Sequence, residues 1–289
     1  MTATGGRSDS AERAVLIEPG RIDLVVTDLD GTLWDRSNVV HPLTVRAVRR
    51  LQDAGVRVLA ASGRRPASIK KVLGANDLTM AAVCLDGALG RDFDTNEDFH
   101  RSGFVPELAL DILERFLSAG IEPVVNIAAR DDRDCVLGSS PSTHPDHVNN
   151  TRDWTRRADL HRIVSEETVL GFGLCGQPEE VIQRCKEALH AGLDLTSGSD
   201  TQYGGHGLAV RPPGVNKWSG VVAYCHRHDI ATDRVLAVGD GHNDRELLAN
   251  AAIACAVMGG DPELIRQADH VIGPPSAGGW SELDWTTQQ

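Results

Sequence analysis

The stretch that decides the fold is Asp23–Thr32, which reads DLVVTDLDGT. Its first half is a short apolar run rich in Val, typical of a strand buried on both faces, and the run stops at the polar Asp28. Asp30 and Gly31 follow two and three residues later. An Asp-Gly pair after an apolar run is also a common turn signal, so this stretch alone indicates either a turn or a site. The rest of the chain distinguishes the two.

Strand and helix signals alternate on the C-terminal side of this stretch. Further strands are predicted at Val56–Ala61, Ala81–Leu85, Arg234–Val238 and Ile253–Met258. Helices are predicted at Leu43–Ala54, Ser68–Leu73 and Asn243–Ala251. Short apolar strands that alternate with helices are typical of a parallel sheet covered on both faces. The fold class predicted is therefore α/β, with a Rossmann-like, doubly wound core.

The middle of the chain has a different pattern. An amphipathic helix at Pro106–Ala119 is followed by two strand signals, and the same order recurs after a strand at Val169–Leu174, with a helix at Pro178–Ala191. A helix followed by two strands, stated twice, predicts an α+β domain inserted into the core. The predicted organisation is a flexible tail at 1–20, a core at 21–87 and 213–289, and an inserted domain at 88–212.

Composition and charge exclude several classes of partner. Lys and Arg number 29 against 41 Asp and Glu, a net charge of −12, and aromatic residues are 4% of the chain. Without a basic stripe or aromatic platforms, a nucleic-acid partner is not expected. The chain contains no apolar run of about 18 residues, so no membrane span is predicted. The six cysteines lack metal-ligand spacing, and no secretory signal is evident, so we expect reduced thiols in a cytoplasmic protein.

Four polar fragments stand out, and three of them end a predicted strand. They are Asp28–Thr32 (DLDGT), Ser62–Arg64 (SGR), Lys217, and Gly239–Asp244 (GDGHND). Ligands of doubly wound sheets bind beyond the carboxyl ends of the strands, which is where these fragments fall. Clustered carboxylates repel one another unless a cation joins them, and hard oxygen ligands suit Mg²⁺. Beside such an ion, one carboxylate can attack a phosphoryl group, and a second can protonate the leaving oxygen.

The four fragments, in this order, resemble the motifs of the haloacid dehalogenase superfamily of phosphohydrolases. The resemblance covers nearly everything from Arg21 onward. Because the inserted domain lies between the second and third motifs, it resembles the class-two cap of the Cof-type branch. Leu85–Ala88 and Val215–Lys217 stand where that branch has its Asn-Gly-Ala and Val-Ser-Lys segments. The bulky Trp34 and Trp218, and His242, depart from the pattern of the branch, and none of the three replaces an essential carboxylate.

The resemblance implies a role for each motif residue. Asp28 is expected to be the nucleophile and Asp30 the general acid and base. The ligands expected for Mg²⁺ are Asp28, the backbone carbonyl of Asp30, Asp240 and Asp244. The residues expected to bind the substrate's phosphoryl group are Gly31, Thr32, Ser62, Gly63, Arg64, Lys217 and Asn243, with the backbone amides of Gly31 and Thr32 turned toward the phosphate.

The function expected is a Mg²⁺-dependent phosphatase that acts on a small phosphorylated metabolite through an aspartyl-phosphate. Two alternatives stay open at this point: a phosphomutase on the same core, and a catalytically silent regulatory module. A silent module would be expected to lose the nucleophile or a metal-binding Asp, and this chain keeps all of them. The sequence leaves open whether the substrate is a sugar phosphate, a phosphorylated cofactor or a nucleotide. It also leaves open the oligomeric state, and whether His242 and the Gly-rich segment Ser197–Gly207 contact the substrate.

Overall fold

A computed structural model describes residues 15–17, 20–129, 131–189, 192–200 and 202–285. Most of the predicted tail at 1–20 lies outside these residues, although Val15–Ile17 forms a short strand. The chain divides into two compact units. The first unit comprises Met1–Ser62, Lys71–Ala82 and Val221–Gln289, and the second comprises Gly63–Lys70 and Val83–Gly220.

Short strands and helices are interspersed along the described part of the chain. The strands, in chain order, are β1 (Val15–Ile17), β2 (Leu24–Thr27), β3 (Arg57–Ala61), β4 (Ala82–Cys84), β5 (Leu89–Asp92), β6 (Glu97–Arg101), β7 (Val124–Ile127), β8 (Cys135–Leu137), β9 (Thr155–Arg157), β10 (Val169–Gln177), β11 (Asp194–Ser199), β12 (His206–Arg211), β13 (Val235–Gly239), β14 (Ile253–Val257), β15 (His270–Ile272) and β16 (Leu283–Trp285). The helices are α1 (Pro42–Asp53), α2 (Pro66–Ala75), α3 (Pro106–Ser118), α4 (Pro145–Asn150), α5 (Leu160–Glu166), α6 (Glu179–Ala188), α7 (Lys217–Arg227), α8 (Arg245–Asn250) and α9 (Pro262–Gln267).

The first unit contains a parallel sheet with the strand order β15-β14-β13-β2-β3. Every residue of β2, β13 and β14 is buried, which explains why these strands read as continuous apolar runs. Helices α1, α8 and α9 pack against strands of this sheet. The short strands β1 and β16 pair with each other in parallel.

Helix α1 shows how local sequence sets an element of this unit. Pro42 occupies the first turn, and the Nδ1 atom of His41 accepts a hydrogen bond from the amide of Leu43 at 3.2 Å. Its buried residues, Thr44, Ala47, Val48 and Leu51, recur at the spacing of one helical face. Gly55 follows the helix with φ +82°, a conformation that favours glycine.

The second unit is built on a six-stranded sheet with the order β11-β12-β10-β7-β8-β9. Its strands pair antiparallel except for β8 and β9, which are parallel. Helices α3, α5 and α6 contribute apolar side chains to one core, in which the ring of Phe172 on β10 lies 5.6 Å from that of Phe104 and 6.1 Å from that of Phe116. The predicted order of a helix and two strands is present twice, as α3-β7-β8 and α6-β11-β12.

Several elements were absent from the sequence-based prediction. The hairpin of β5 and β6 is one, and its turn is built by Asp92, whose Oδ1 accepts the amides of Asp94 and Thr95, and by Asn96 at φ +57°. The predicted helix at Asn243–Ala251 is instead a 3₁₀ turn at His242–Asp244 followed by α8. By compactness, residues 63–70, 83–87 and 213–220 group with the second unit. The predicted division into a core at 21–87 and 213–289 and a cap at 88–212 stays a prediction.

None of the helices in the described part of the chain is both long enough and apolar enough to cross a membrane. All six cysteines are free, and all but Cys175 are buried.

Candidate active site

Three neighbouring strands of the first unit end in predicted site residues. Asp28 follows β2, Ser62 follows β3 and Asp240 follows β13. In the sheet β2 lies between the other two, with Thr27 in register with Val238 on one side and Ala60 on the other. The amide of Asp28 donates to the carbonyl of Val238 at 2.9 Å, so the pairing of β2 with β13 continues to the nucleophile position. Because the strands are parallel, their carboxyl ends share one edge of the sheet.

Three carboxylates converge at this edge. Asp28, Asp240 and Asp244 each offer an oxygen, and these ligand atoms lie within 4.8 Å of one another. Asp28 is 5% exposed and Asp244 is fully buried. Carboxylates this close repel one another strongly when burial removes them from water, unless a cation lies between them. An all-oxygen, anionic donor set of this kind fits Mg²⁺.

Backbone amides and one hydroxyl hold two of these carboxylates. The Oδ2 atom of Asp244 accepts the amides of Asp240 at 3.1 Å and Gly241 at 2.9 Å. The hydroxyl of Thr32 donates to Oδ1 of Asp240 at 2.7 Å, and the carbonyl of Asp240 accepts the amide of Asp261 at 2.7 Å. Asp240 is therefore fixed through both its side chain and its backbone.

Gly31 is required at its position for two reasons. Its φ is +92°, and a Cβ atom there would lie 2.4 Å from Oδ2 of Asp240. The amide of Gly31 donates to the carbonyl of Trp34 at 2.9 Å, and the amide of Thr32 donates to that of Leu29 at 3.3 Å. We predicted that these two amides face the phosphate, but in the structure both donate to carbonyls within the turn. A substrate-binding role for Gly31 and Thr32 stays a prediction that does not rest on these amides.

Asp30, two residues after Asp28, is not among the three carboxylates that converge in the described residues. Its side chain is exposed, and its Oδ1 accepts a hydrogen bond of 3.0 Å from the indole Nε1 of Trp34. The predicted metal contact of Asp30 is through its backbone carbonyl, and it stays a prediction. Asn243 is partly buried within the 3₁₀ turn that leads to Asp244, and the neighbouring His242 is exposed.

The remaining predicted residues belong to the second unit. Gly63 is exposed, and a Cβ atom added to it would lie 3.1 Å from Oδ2 of Asp86. The carbonyl of Arg64 accepts the amide of Leu85 at 3.0 Å. Lys217 is the first residue of α7 and is only 1% exposed, an unusual degree of burial for a lysine.

Residues 25–282 of this chain match the family model of the haloacid dehalogenase-like hydrolases. The chain belongs to this family. It is 26% identical to an HMP-PP phosphatase of Enterobacter sp. (strain 638) over 257 residues, covering 86% of this chain and 90% of that protein. It is 25% identical over 248 residues to a phosphoglycolate phosphatase of Methanoculleus marisnigri, and the match covers 86% of this chain and 88% of that protein. The crystal structure of TM0651 from Thermotoga maritima superimposes on this chain with a TM-score of 0.76 at 19% sequence identity. The superposition covers 90% of this chain and 96% of that protein.

These findings confirm several predictions made from the sequence. The haloacid dehalogenase superfamily, its Cof-type branch and the α/β core with an inserted domain are confirmed. So is the class of enzyme, a phosphoric monoester hydrolase of the haloacid dehalogenase type. The alternative of a catalytically silent module is therefore not needed.

Sequence reasoning missed several contacts in each of the two units. It assigned Thr32 to the substrate and did not foresee its hydrogen bond to Asp240, 208 residues away. It also missed the ion pair between Arg211 Nη1 and Asp86 Oδ2 at 3.1 Å, and the left-handed backbone of Leu85 and Asp86 at φ +50° and +52°. The Asp-Gly pair that ends the strand at Ala81–Leu85 was the available signal for that turn.

Arg65 is a further residue whose place only the structure shows. Its Nη1 atom lies 2.9 Å from Oδ1 of Asp134, and its guanidinium lies 5.8 Å from the ring centre of Trp154. Burial raises the pKa of Asp134, although the Arg65 guanidinium opposes the rise. Arg65 follows the predicted substrate-binding pair Gly63 and Arg64, and the second unit holds it in place.

Proposed function

We propose that this chain is a Mg²⁺-dependent phosphatase that hydrolyses a small phosphorylated metabolite through an aspartyl-phosphate on Asp28. The observation that carries the proposal is the convergence of Asp28, Asp240 and Asp244, with ligand atoms within 4.8 Å of one another, beyond the ends of two adjacent parallel strands. The names of the related phosphatases support the substrate class, since HMP-PP and phosphoglycolate are small phosphorylated molecules.

The residues that would hold the metal are the side chains of Asp28, Asp240 and Asp244 and the backbone carbonyl of Asp30. When bound, Mg²⁺ supplies positive charge that offsets the carboxylates and the phosphoryl oxygens. The chain's own contribution is to hold the carboxylates in place before the substrate arrives. Thr32 and the amides of Asp240 and Gly241 provide that support.

In the first step Asp28 is the nucleophile. A carboxylate oxygen of Asp28 forms a bond to phosphorus while the bond from phosphorus to the leaving oxygen breaks. The leaving oxygen takes a proton from the carboxyl group of Asp30, and the alcohol departs. Asp28 suits this role because its backbone continues the hydrogen bonding of β2 to β13 and its side chain is largely withdrawn from water.

In the second step water replaces the alcohol. Asp30, now a carboxylate, accepts a proton from a water molecule whose oxygen bonds to phosphorus. The bond between phosphorus and Asp28 breaks, which releases inorganic phosphate and restores the Asp28 carboxylate. Asp30 suits proton exchange because it is exposed and lies two residues from the nucleophile.

Binding of the transferred phosphoryl group is assigned to the predicted set of polar residues. Ser62 and Lys217 would bind its oxygens, Asn243 would orient it, and Gly63 and Arg64 would belong to the same substrate-binding set. Preorganised donors and charges of this kind stabilise the charge that develops in the transition state. The buried Lys217 fits such a role better than that of a solvated surface lysine.

The test is a panel of phosphorylated metabolites assayed for phosphate release with and without Mg²⁺. EDTA should abolish turnover and added Mg²⁺ should restore it. Asp28→Asn should leave essentially no activity. Asp30→Asn should release the alcohol from an activated substrate and then hydrolyse the aspartyl-phosphate slowly. Asp53→Asn, which alters an exposed carboxylate on α1, is the matched control and should keep normal activity. Full activity in EDTA, or in Asp28→Asn, would contradict the proposal.

A further inference from the structure

Trp34 is fully buried, yet its indole nitrogen is hydrogen-bonded to the exposed side chain of Asp30. The indole Nε1 lies 3.0 Å from Oδ1 of Asp30. A buried indole N–H needs an acceptor, because leaving it without one removes its hydrogen bond to water and replaces it with nothing. The departure of Trp34 from the Cof-type pattern therefore concerns the polar end of its ring as well as its size.

The backbone keeps these two residues in a constant relation. The amide of Trp34 donates to the carbonyl of Leu29 at 3.1 Å, and the carbonyl of Trp34 accepts the amide of Gly31 at 2.9 Å. Trp34 also makes isolated β-bridges with Asp30 and Val40. The tight turn from Leu29 to Trp34 thus fixes the backbone of Trp34 relative to that of Asp30, and burial confines the indole ring.

The orientation of the Asp30 side chain matters for the proposed reaction. The torsion at the end of an aspartate side chain is broad and has no sharp preferred value. A donor that binds one of the two oxygens therefore narrows the directions that the other oxygen can take. A proton transfer requires an oxygen within about 2.6–3.2 Å of the leaving oxygen, so this rotation matters for catalysis.

We propose that Trp34 is a positioning residue, which holds Oδ1 of Asp30 by its indole N–H so that Oδ2 faces the leaving oxygen of the substrate. The inference rests on the proposed function, since it takes Asp30 as the general acid and base. A phenylalanine at position 34 would fill much of the same space and could not do this, because it carries no donor. Through Asp30, Trp34 would assist protonation of the leaving oxygen. The effect should therefore be largest for a substrate with a poor leaving group, such as an alkyl phosphate.

The experiment compares kcat/KM for an alkyl phosphate and for p-nitrophenyl phosphate. With p-nitrophenolate, a good leaving group, release needs little help from an acid, and kcat/KM does not depend on the later hydrolysis step. Trp34→Phe should lower kcat/KM for the alkyl phosphate on the order of ten-fold, part of the 10²–10⁴ that general acid catalysis typically supplies. The value for p-nitrophenyl phosphate should change much less. An equal loss for both substrates would overturn the inference.

Trp280→Phe is the matched control. Trp280 is also fully buried in the first unit, and its indole donates to the hydroxyl of Thr27 at 3.0 Å. The two substitutions remove the same atoms from the protein interior, so they should lower the melting temperature to a similar degree. Trp280→Phe should leave the ratio of the two kcat/KM values unchanged. The same change of ratio in both variants would show a general effect of a lost tryptophan and would overturn the inference.

Two further measurements isolate the indole N–H and its partner. Site-specific replacement of Trp34 by 3-benzothienylalanine keeps the ring shape, puts sulfur in place of N–H, and should change the ratio as Trp34→Phe does. In an Asp30→Asn background, Trp34→Phe should cause no further change of ratio, since residues that act together are not additive. A normal ratio in the sulfur analogue, or an undiminished effect beside Asp30→Asn, would overturn the inference while the proposed function stands. Normal alkyl phosphate turnover in Asp30→Asn alone would instead overturn the proposed function, and this inference with it.

Discussion

At the scale of single residues, Thr32 and Thr44 are both buried threonines of the first unit, and they differ in whether the hydroxyl makes a hydrogen bond. The Thr32 hydroxyl donates to Asp240, whereas Oγ1 of Thr44 makes no hydrogen bond within the described residues. Thr32→Val keeps the shape of the side chain and removes a donor from a carboxylate. We expect it to lower the free energy of unfolding by about 1–3 kcal/mol and to raise the Mg²⁺ concentration needed for half-maximal activity.

Thr44→Val is the control for this change. It removes a hydroxyl that lacks a partner, so the free energy of unfolding should stay constant or increase, and Mg²⁺ activation should not change. Urea denaturation and a Mg²⁺ titration of activity measure both quantities. If Thr32→Val behaved like Thr44→Val in the titration, Thr32 would not be supporting the metal ligands.

At the scale of elements, α4 of the second unit places His147 in a buried position. The ring Nδ1 of His147 lies 3.2 Å from the hydroxyl of Thr143, and the residue is 7% exposed. Burial, together with the charges of Arg65 and His144 and opposed by Asp200, lowers the pKa of His147 to about 4. The unfolded chain, with an ordinary histidine pKa near 6.5, therefore binds a proton that the folded chain does not bind between these two values.

It follows that this histidine lowers stability as the solution becomes acidic. Its contribution is fully present above about pH 6.5 and is lost as the pH falls toward 4, at up to about 1.4 kcal/mol for each pH unit. In His147→Gln this part of the pH dependence should disappear, which denaturation curves between pH 7 and pH 4.5 would measure. His100, whose pKa is also lowered by burial, retains its own contribution in both proteins. An unchanged slope in His147→Gln would show that His147 titrates normally in the folded protein.

At the scale of the whole molecule, the acidic balance of the chain makes bound cations important. The net charge is −12, and three of the carboxylates converge in the first unit. A ligand that binds only the folded state stabilises it, by about 2.7 kcal/mol at one hundred times its dissociation constant. Mg²⁺ should therefore raise the melting temperature of the native protein. Asp28→Asn should melt at a higher temperature than the native protein in EDTA, because it removes one of three mutually repelling charges, and should respond less to Mg²⁺.

Asp53→Asn removes the same charge from an exposed position and controls for net charge. It should respond to Mg²⁺ as the native protein does. Thermal melts with and without Mg²⁺ distinguish the two variants without an activity assay. Equal responses to Mg²⁺ in native protein and in Asp28→Asn would remove Asp28 from the ligand set.

Much of this architecture could be predicted because it depends on local pattern. The apolar run at Asp23–Thr27 and the amphipathic helix at Pro106–Ala119 correspond to β2 and α3 within one or two residues. Strands buried on both faces must be apolar throughout, and helices must bury one face, so both leave a signal within a few residues. The order of the four motifs, from Asp28 to Asp244, was enough to indicate the family and the edge of the sheet where the carboxylates meet.

Tertiary structure decided what depends on groups distant in the sequence. The hydroxyl of Thr32 donates to Asp240 and its amide donates to the carbonyl of Leu29, and Gly31 lacks a side chain because Asp240 occupies that space. The sequence indicates only that Trp34 is a bulky departure from the family pattern, whereas the structure shows its indole N–H bonded to Asp30. The sequence by itself determined the fold class, the family and which carboxylates are present. Which donor holds which carboxylate was determined only by the parallel pairing that brings β2 and β13 together. The physical reason is that a hydrogen bond requires donor and acceptor to be placed within a few tenths of an ångström of the right separation, and no residue pattern encodes that placement.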